Sequence, residues 1–319
     1  VLLRKRLFIV PLLLLFMFVA GCTQNGQGTA PPGIGGDKER LNIVTTTTMI
    51  TDLVKEIGGD AVHVDGLMGA GIDPHLYKAS AGDVNRMRQA DVIIYNGLHL
   101  EGKMADIFEE FQGTQVKTVA ITEAIDKSIL LPTEDEGKLY DPHIWFDIEL
   151  WKEAALYVRD ALSSVDSKNE STYQANTEKY LEKLDDLQGY IKTELAKIPQ
   201  EKRVLITAHD AFGYFGRAYD FEVLGLQGLS TTTEAGIADM QELADIIAER
   251  KIPAIYIESS VPPRSIEALQ KAVQARGFDV AIGGELFSDA MGDAGTEEGT
   301  YLGMVRHNVD TIVGGLLSE

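Results

Sequence analysis

From Leu41 onward, short apolar runs rich in β-branched residues alternate with stretches whose apolar positions recur every three or four residues. "LNIVTT", "VHVDGLM", "DVIIYNG" and "VKTVAIT" have the length and composition of buried strands, and "MITDLVKEIGG" and "SAGDVNRMRQA" fall between them as helices. This βαβ rhythm predicts an α/β fold with a parallel sheet covered by helices. Between Asp147 and Ile198 no strand candidate occurs. There Tyr173, Tyr180, Leu184, Leu187 and Ile191 fall at spacings of 7, 4, 3 and 4, one stripe of a helix whose other faces are charged. Taken as continuous from Ser167 to Ile198, that helix would be about 48 Å long, enough to run along two small domains. After Pro199 the alternation resumes with "RVLITA", "EVLGL", "AIYIES" and "DVAIGG", separated by "IADMQELADIIAERK" and "PRSIEALQKAVQARG". The pattern predicts two lobes, 41–165 and 200–319, each with a four-stranded parallel sheet flanked by helices, joined by one long rigid helix at 166–199. No short fixed period repeats, which excludes solenoids and propellers.

Ahead of Leu41 the pattern differs in kind. "VLLRKR" followed by "LFIVPLLLLFMFVAG" reads as a basic then apolar export signal covering residues 1–21; a retained transmembrane anchor is the alternative, against which the apolar run is short for a bilayer-spanning helix. It ends at Cys22, the single cysteine of the chain, in "VAGC", which is similar to the bacterial lipobox where cleavage leaves a lipid-bearing cysteine. Residues 22–40, rich in Gly, Pro, Gln and Thr, read as a flexible tether. One cysteine excludes an intrachain disulfide, so the exported part is held by its core. The net charge of −20 becomes more negative once Arg4, Lys5 and Arg6 leave with the signal, and such a surface repels nucleic acid.

Ligands of parallel α/β sheets sit beyond the carboxyl ends of strands, so polar residues at those places carry the candidate chemistry. Four stand out: His75 and His143, each in an Asp-Pro-His turn, His209 directly after "RVLITA", and Asp289 in "GGELFSDAMG". Three imidazoles and a carboxylate, two from each lobe, suit a first-row divalent metal. Proline fixes the backbone before each of the first two histidines, so the ring leaves a stiff loop in a set direction. Asp73 and Asp141 are then turn formers, or acceptors that orient a ring. Glu258, at the end of "AIYIE", is the first alternate to Asp289 as a ligand, with Glu285 and Asp210 also competing. His63, His99 and His307 read as structural or exposed. The threonine clusters "TTTT" at 45–48 and "STTTEAG" at 230–236 read as helix caps and strand ends rather than anion sites. No HExxH, GxSxG, P-loop or GxGxxG is present, and no thiol outside the lipobox could act as a nucleophile.

The stretches "DPHLYKASAGDVNRMRQADVIIYNGLHLEGKM", "DPHIWFD", "TAHDAFGYFGRAYDF", "YIESSVPPRSIEAL" and "GGELFSDAMG", in this order, resemble the metal-ion solute-binding lipoproteins of bacterial ABC uptake systems, the solute-binding protein 9 family. The resemblance covers nearly all of residues 41–319. It implies one metal buried between two α/β lobes by His75, His143, His209 and Asp289, and a three-histidine, one-aspartate set associated with manganese and zinc. Zinc-dedicated members often carry a histidine-rich loop before the second Asp-Pro-His; "LLPTEDEGKLY" here is acidic without histidine, which leans toward manganese or a mixed preference. The expectation is a monomeric receptor, not an enzyme. It would be held on the outer face of the membrane by lipid on Cys22 and would hand manganese or zinc to an ABC permease. A zinc hydrolase using Glu258 or Asp289 as general base, and a surface adhesin on the same scaffold, are the alternatives.

Overall fold

The first sheet is built from β1 (Leu41–Thr45), β2 (Val62–Gly66), β3 (Val92–Tyr95) and β4 (Lys117–Ala120), all parallel in the order β2-β1-β3-β4. The computed structural model describes residues 40–133 and 139–318. The export signal, Cys22, the tether up to residue 39 and the tip of the acidic loop lie outside the described residues. Among those described, no helix is long and apolar enough to cross a membrane.

Helices α1 (Thr48–Gly58), α2 (Ala81–Gln89) and α3 (Ala105–Phe111) cover the first sheet. Met49, Ile50, Leu53, Val54 and Ile57 form the inward stripe of α1, all fully or nearly fully buried. Thr47 caps α1 and Ser80 closes a capping box with Asp83 on α2, so both helices start where the strand–loop polarity changes.

The strand-free stretch holds two helices. α4 (Ile148–Val165) starts at the Asp147 cap and packs on the first half; after a short 3-10 turn, α5 (Glu170–Leu195) runs for 26 residues, about 39 Å. Its stripe Tyr173, Tyr180, Leu184, Leu187 and Ile191 is buried, as the spacing predicts. Asn176 and Lys183 of α5 bond Ile57 O and the Glu56 carboxylate on α1, while Tyr190 bonds Asp310 near the carboxyl end of the chain. The helix therefore braces both halves, and one apolar core runs continuously through α1, α4, α5 and the last helix.

The second half contributes β5 (Val204–His209), β6 (Glu222–Gln227), β7 (Ala254–Glu258) and β8 (Ala281–Leu286), with α6 (Gly213–Tyr219), α7 (Ile237–Arg250), α8 (Arg264–Gln274) and α9 (Tyr301–Leu317). The four strands hydrogen-bond as two parallel pairs, β5–β6 and β7–β8, with β5 lying beside β7. At the carboxyl ends of β5 and β7 the link is a side chain: the His209 N–H donates to Glu258 Oε1 at 2.8 Å.

Candidate metal centre

Each half delivers two functional side chains from the carboxyl ends of its strands. β2 runs into the loop that carries His75. There the His75 N–H donates to Asp73 Oδ1 (2.8 Å), and Asp73 Oδ2 accepts from Thr231 Oγ1 of the other half (2.6 Å). Beyond β4, the stems of the acidic loop pair at Pro132 and Tyr140 and bond Asp141 N to Leu131 O, which fixes where the second Asp-Pro-His begins. Asn96, just past β3, donates to Pro142 O at 3.0 Å. His209 is the last residue of β5. A Cβ on Gly225 would lie 2.5 Å from Asp210 N, so only glycine lets β6 pass this close to the turn after His209. Asp289 follows β8, and all four side chains are buried, with His75 the most accessible at 4 %.

The four converge. His75 Nε2 and His209 Nε2 lie 3.5 and 3.3 Å from Asp289 Oδ2, and His143 Nε2 lies 3.5 Å from Asp289 Oδ1. One donor atom from each residue falls within 4.8 Å of all the others. All three Nε2 atoms and both Asp289 oxygens are buried without a hydrogen-bond partner. Leaving five such atoms unsatisfied costs about 1–3 kcal/mol each, so the arrangement is unfavourable unless something binds them. Two ligands at 2.0–2.2 Å from a tetrahedral metal are about 3.3–3.6 Å apart, the spacing seen between Asp289 and each imidazole. The residues fit one divalent ion.

The outer partners orient the rings. His143 Nδ1 sits 2.7 Å from Asp141 Oδ1, which also accepts the His143 N–H; His209 Nδ1 sits 2.5 Å from Glu258 Oε2. Each carboxylate holds the Nδ1 proton and turns Nε2 toward the centre. Asp141 thus does both jobs open to it from sequence, turn former and ring acceptor, whereas the contacts of Asp73 are to the turn and to Thr231. A Cβ on Gly213 would meet Asp141 Oδ2 at 2.7 Å, so α6 can begin this close to Asp141 only with glycine there.

Glu258, the alternate ligand, does not point into the centre: its two oxygens face the His209 N–H and ring. Its place at a strand end was legible; its orientation was not. Trp145 was also missed. Its ring packs edge-on against His143 at 5.2 Å while its Nε1–H donates to Ser288 O beside Asp289. The hint was its position, two residues past His143. Glu285 and Asp210 lie outside the cluster, as do His63 and His99, which are exposed, and His307, whose ring bonds Glu285 O.

Charge is unevenly shared among the imidazoles. Burial pushes His75 down to about 4, against the pull of Asp289, so it is neutral at pH 7 and ready to donate a lone pair. For His209 burial also opposes charge, but Glu258 and Asp289 on its two sides outweigh it and hold the ring protonated well above the ordinary imidazole range. Asp289 lies below the usual carboxylate range: burial would raise it, but the charge of His209 prevails. Without an ion, the centre thus keeps a proton where the ion would sit. Glu258→Gln keeps the shape but weakens the orienting contact, and a 10–100-fold loss of metal affinity is expected in a chelator competition assay. Unchanged affinity would show that Glu258 does not tune His209.

Two α/β halves braced by one long helix, with a buried three-histidine, one-carboxylate centre between them, define the class of metal-capturing solute-binding proteins. The chain belongs to the family described as ZnuA, zinc-uptake complex component A, periplasmic, whose model matches residues 43–315. It is 54 % identical over 274 residues to the zinc-binding protein TroA of Treponema pallidum, spanning 86 % of this chain and 88 % of that protein. It is 47 % identical over 287 residues to the manganese-binding lipoprotein MntA of Bacillus subtilis, spanning 90 % and 93 %. The solved structure of the periplasmic zinc-binding protein TroA from Treponema pallidum superimposes with a TM-score of 0.85 at 53 % identity, covering 88 % of this chain and all of that one.

Proposed function

We propose that this protein captures one manganese or zinc ion with His75, His143, His209 and Asp289 and delivers it to an ABC permease. The carrying observation is the set of five buried, unpartnered nitrogen and oxygen atoms at metal-ligand spacing. Relatives named for zinc and for manganese support either ion. At equal geometry zinc binds such ligands more tightly, so supply outside the cell would decide which is carried. The functional units are residues 41–165 and 200–319 around the connection at 166–199. Because α5 packs on both, release involves modest lobe movement and local loosening rather than wide closure. The protein works as a single chain, held on the outer face of the membrane by lipid on Cys22. It acts as a carrier rather than an enzyme: four protein ligands leave little room for an activated water, and Glu258, a candidate general base, is engaged by His209.

Binding displaces the proton from His209. Calorimetric titration of manganese or zinc into metal-stripped protein at pH 7, repeated in buffers of different ionisation enthalpy, is expected to give one ion bound and about one proton released. Affinity should rise about tenfold per pH unit while His209 stays protonated in the empty centre, and fall more steeply once His75 also protonates near pH 4. Binding without proton release, or the absence of binding, would refute this reading.

A further inference from the structure

The four consecutive threonines at 45–48 each have a separate task. Thr45 bonds Thr51 within α1, Thr46 donates to the buried Glu101, and Thr47 caps α1 by accepting the Ile50 N–H. Thr48 alone reaches across to the other half, where its Oγ1 accepts the Met291 N–H at 2.9 Å. Met291 is two residues beyond Asp289.

That contact matters because Asp289 differs from its neighbours. His143 and His209 are each aimed by a carboxylate on Nδ1, but the oxygens of Asp289 face only the three imidazoles and have no such outer partner. Its direction is therefore set by the backbone of 288–291. That backbone is held from the first half at both ends, by Trp145 Nε1–H on Ser288 O (3.0 Å) and by Thr48 on Met291. Between them, Ser259 donates to Ala290 O at 3.1 Å from its own half.

We propose that Thr48 is a positioning residue for Asp289: its hydroxyl oxygen fixes the segment that aims the carboxylate, and ties that aim to the relative place of the two halves. This rests on the metal-receptor reading above. A shift of the halves that stretches the bond would swing the carboxylate off the ion, so Thr48 sets how long the ion stays bound.

The test uses cobalt(II) as the probe, because its ligand-field spectrum reports the ligand set independently of transport. Thr48→Val removes the acceptor at nearly constant shape; Thr48→Ser keeps it. Thr48→Val is expected to load one cobalt, to show a shifted ligand-field spectrum, and to lose the ion to excess chelator about tenfold faster than the parent, with Thr48→Ser restoring both readings. Parent-like spectrum and release rate in Thr48→Val would overturn the proposal. So would an equal loss in Thr48→Ser, which would assign the effect to the threonine methyl. Should Thr48→Val fail to fold, Thr48→Ala takes its place under the same two readings. A parent protein that takes up no cobalt, manganese or zinc would instead reject the receptor reading itself.

Discussion

His143→Ala is expected to abolish stoichiometric metal retention while leaving the fold intact. His143 is fully buried, and its Nε2 faces Asp289 with no other partner, so the ring's outward bond is only to Asp141. Alanine leaves the residue-143 N–H still bonded to Asp141 Oδ1, which preserves the turn, and Asn96 still holds Pro142 O. In the proposed ligand set the ion then loses a ligand outright, a larger loss than the about 10–100-fold that follows removal of an outer partner. Elemental analysis after dialysis against a weak chelator checks this, with circular dichroism to verify folding. His63→Ala, exposed on β2 and outside the cluster, serves as the control. One equivalent of metal retained by His143→Ala would remove that residue from the ligand set.

The second large effect is thermal. An ion that binds only the folded chain adds about 4 kcal/mol at a free concentration 1,000 times its dissociation constant. For a chain of this size each kcal/mol raises Tm by about 2–4 °C, so metal should raise it by about 8–16 °C. The direction with pH follows from His209. Its ring holds a proton in the empty centre, so acid strengthens the competitor of the ion. Between pH 7.5 and 5.5, one displaced proton weakens binding about a hundredfold, and at the same free metal concentration the rise should shrink to about 3–6 °C. Differential scanning calorimetry with and without chelator at the two pH values measures both. A metal-induced rise that is equal at pH 5.5 and 7.5 would mean that no imidazole proton is displaced.

Much of the fold was legible because burial imposes period. The strands β1–β5 and β7 are short runs rich in β-branched residues between turns, and the α5 stripe of Tyr173, Tyr180, Leu184, Leu187 and Ile191 is a spacing rule made visible. The long helix is shorter at both ends than the stripe suggests: Ala196 to Ile198 form a turn ahead of Pro199, and Ser167–Asn169 is a separate 3-10 turn before α5. The break in the ladder between β5 and β7 had no sequence signature, because it depends on a carboxylate from one strand meeting the main chain of the other.

Residue types, strand-end positions and the stiff Asp-Pro turns from which His75 and His143 project are readable along the chain. These follow from backbone restriction and hydrophobic period, which act over a few neighbouring residues. Packing alone sets that Glu258 faces the His209 ring instead of the centre, that Asp141 orients His143 while Asp73 bonds Thr231 of the other half, and that Thr48 reaches Met291. Those pairings join positions tens to hundreds of residues apart or turn on a side-chain direction. They exist because packing two halves against one helix brings strand ends together at ångström range, where electrostatics and hydrogen bonding are strong.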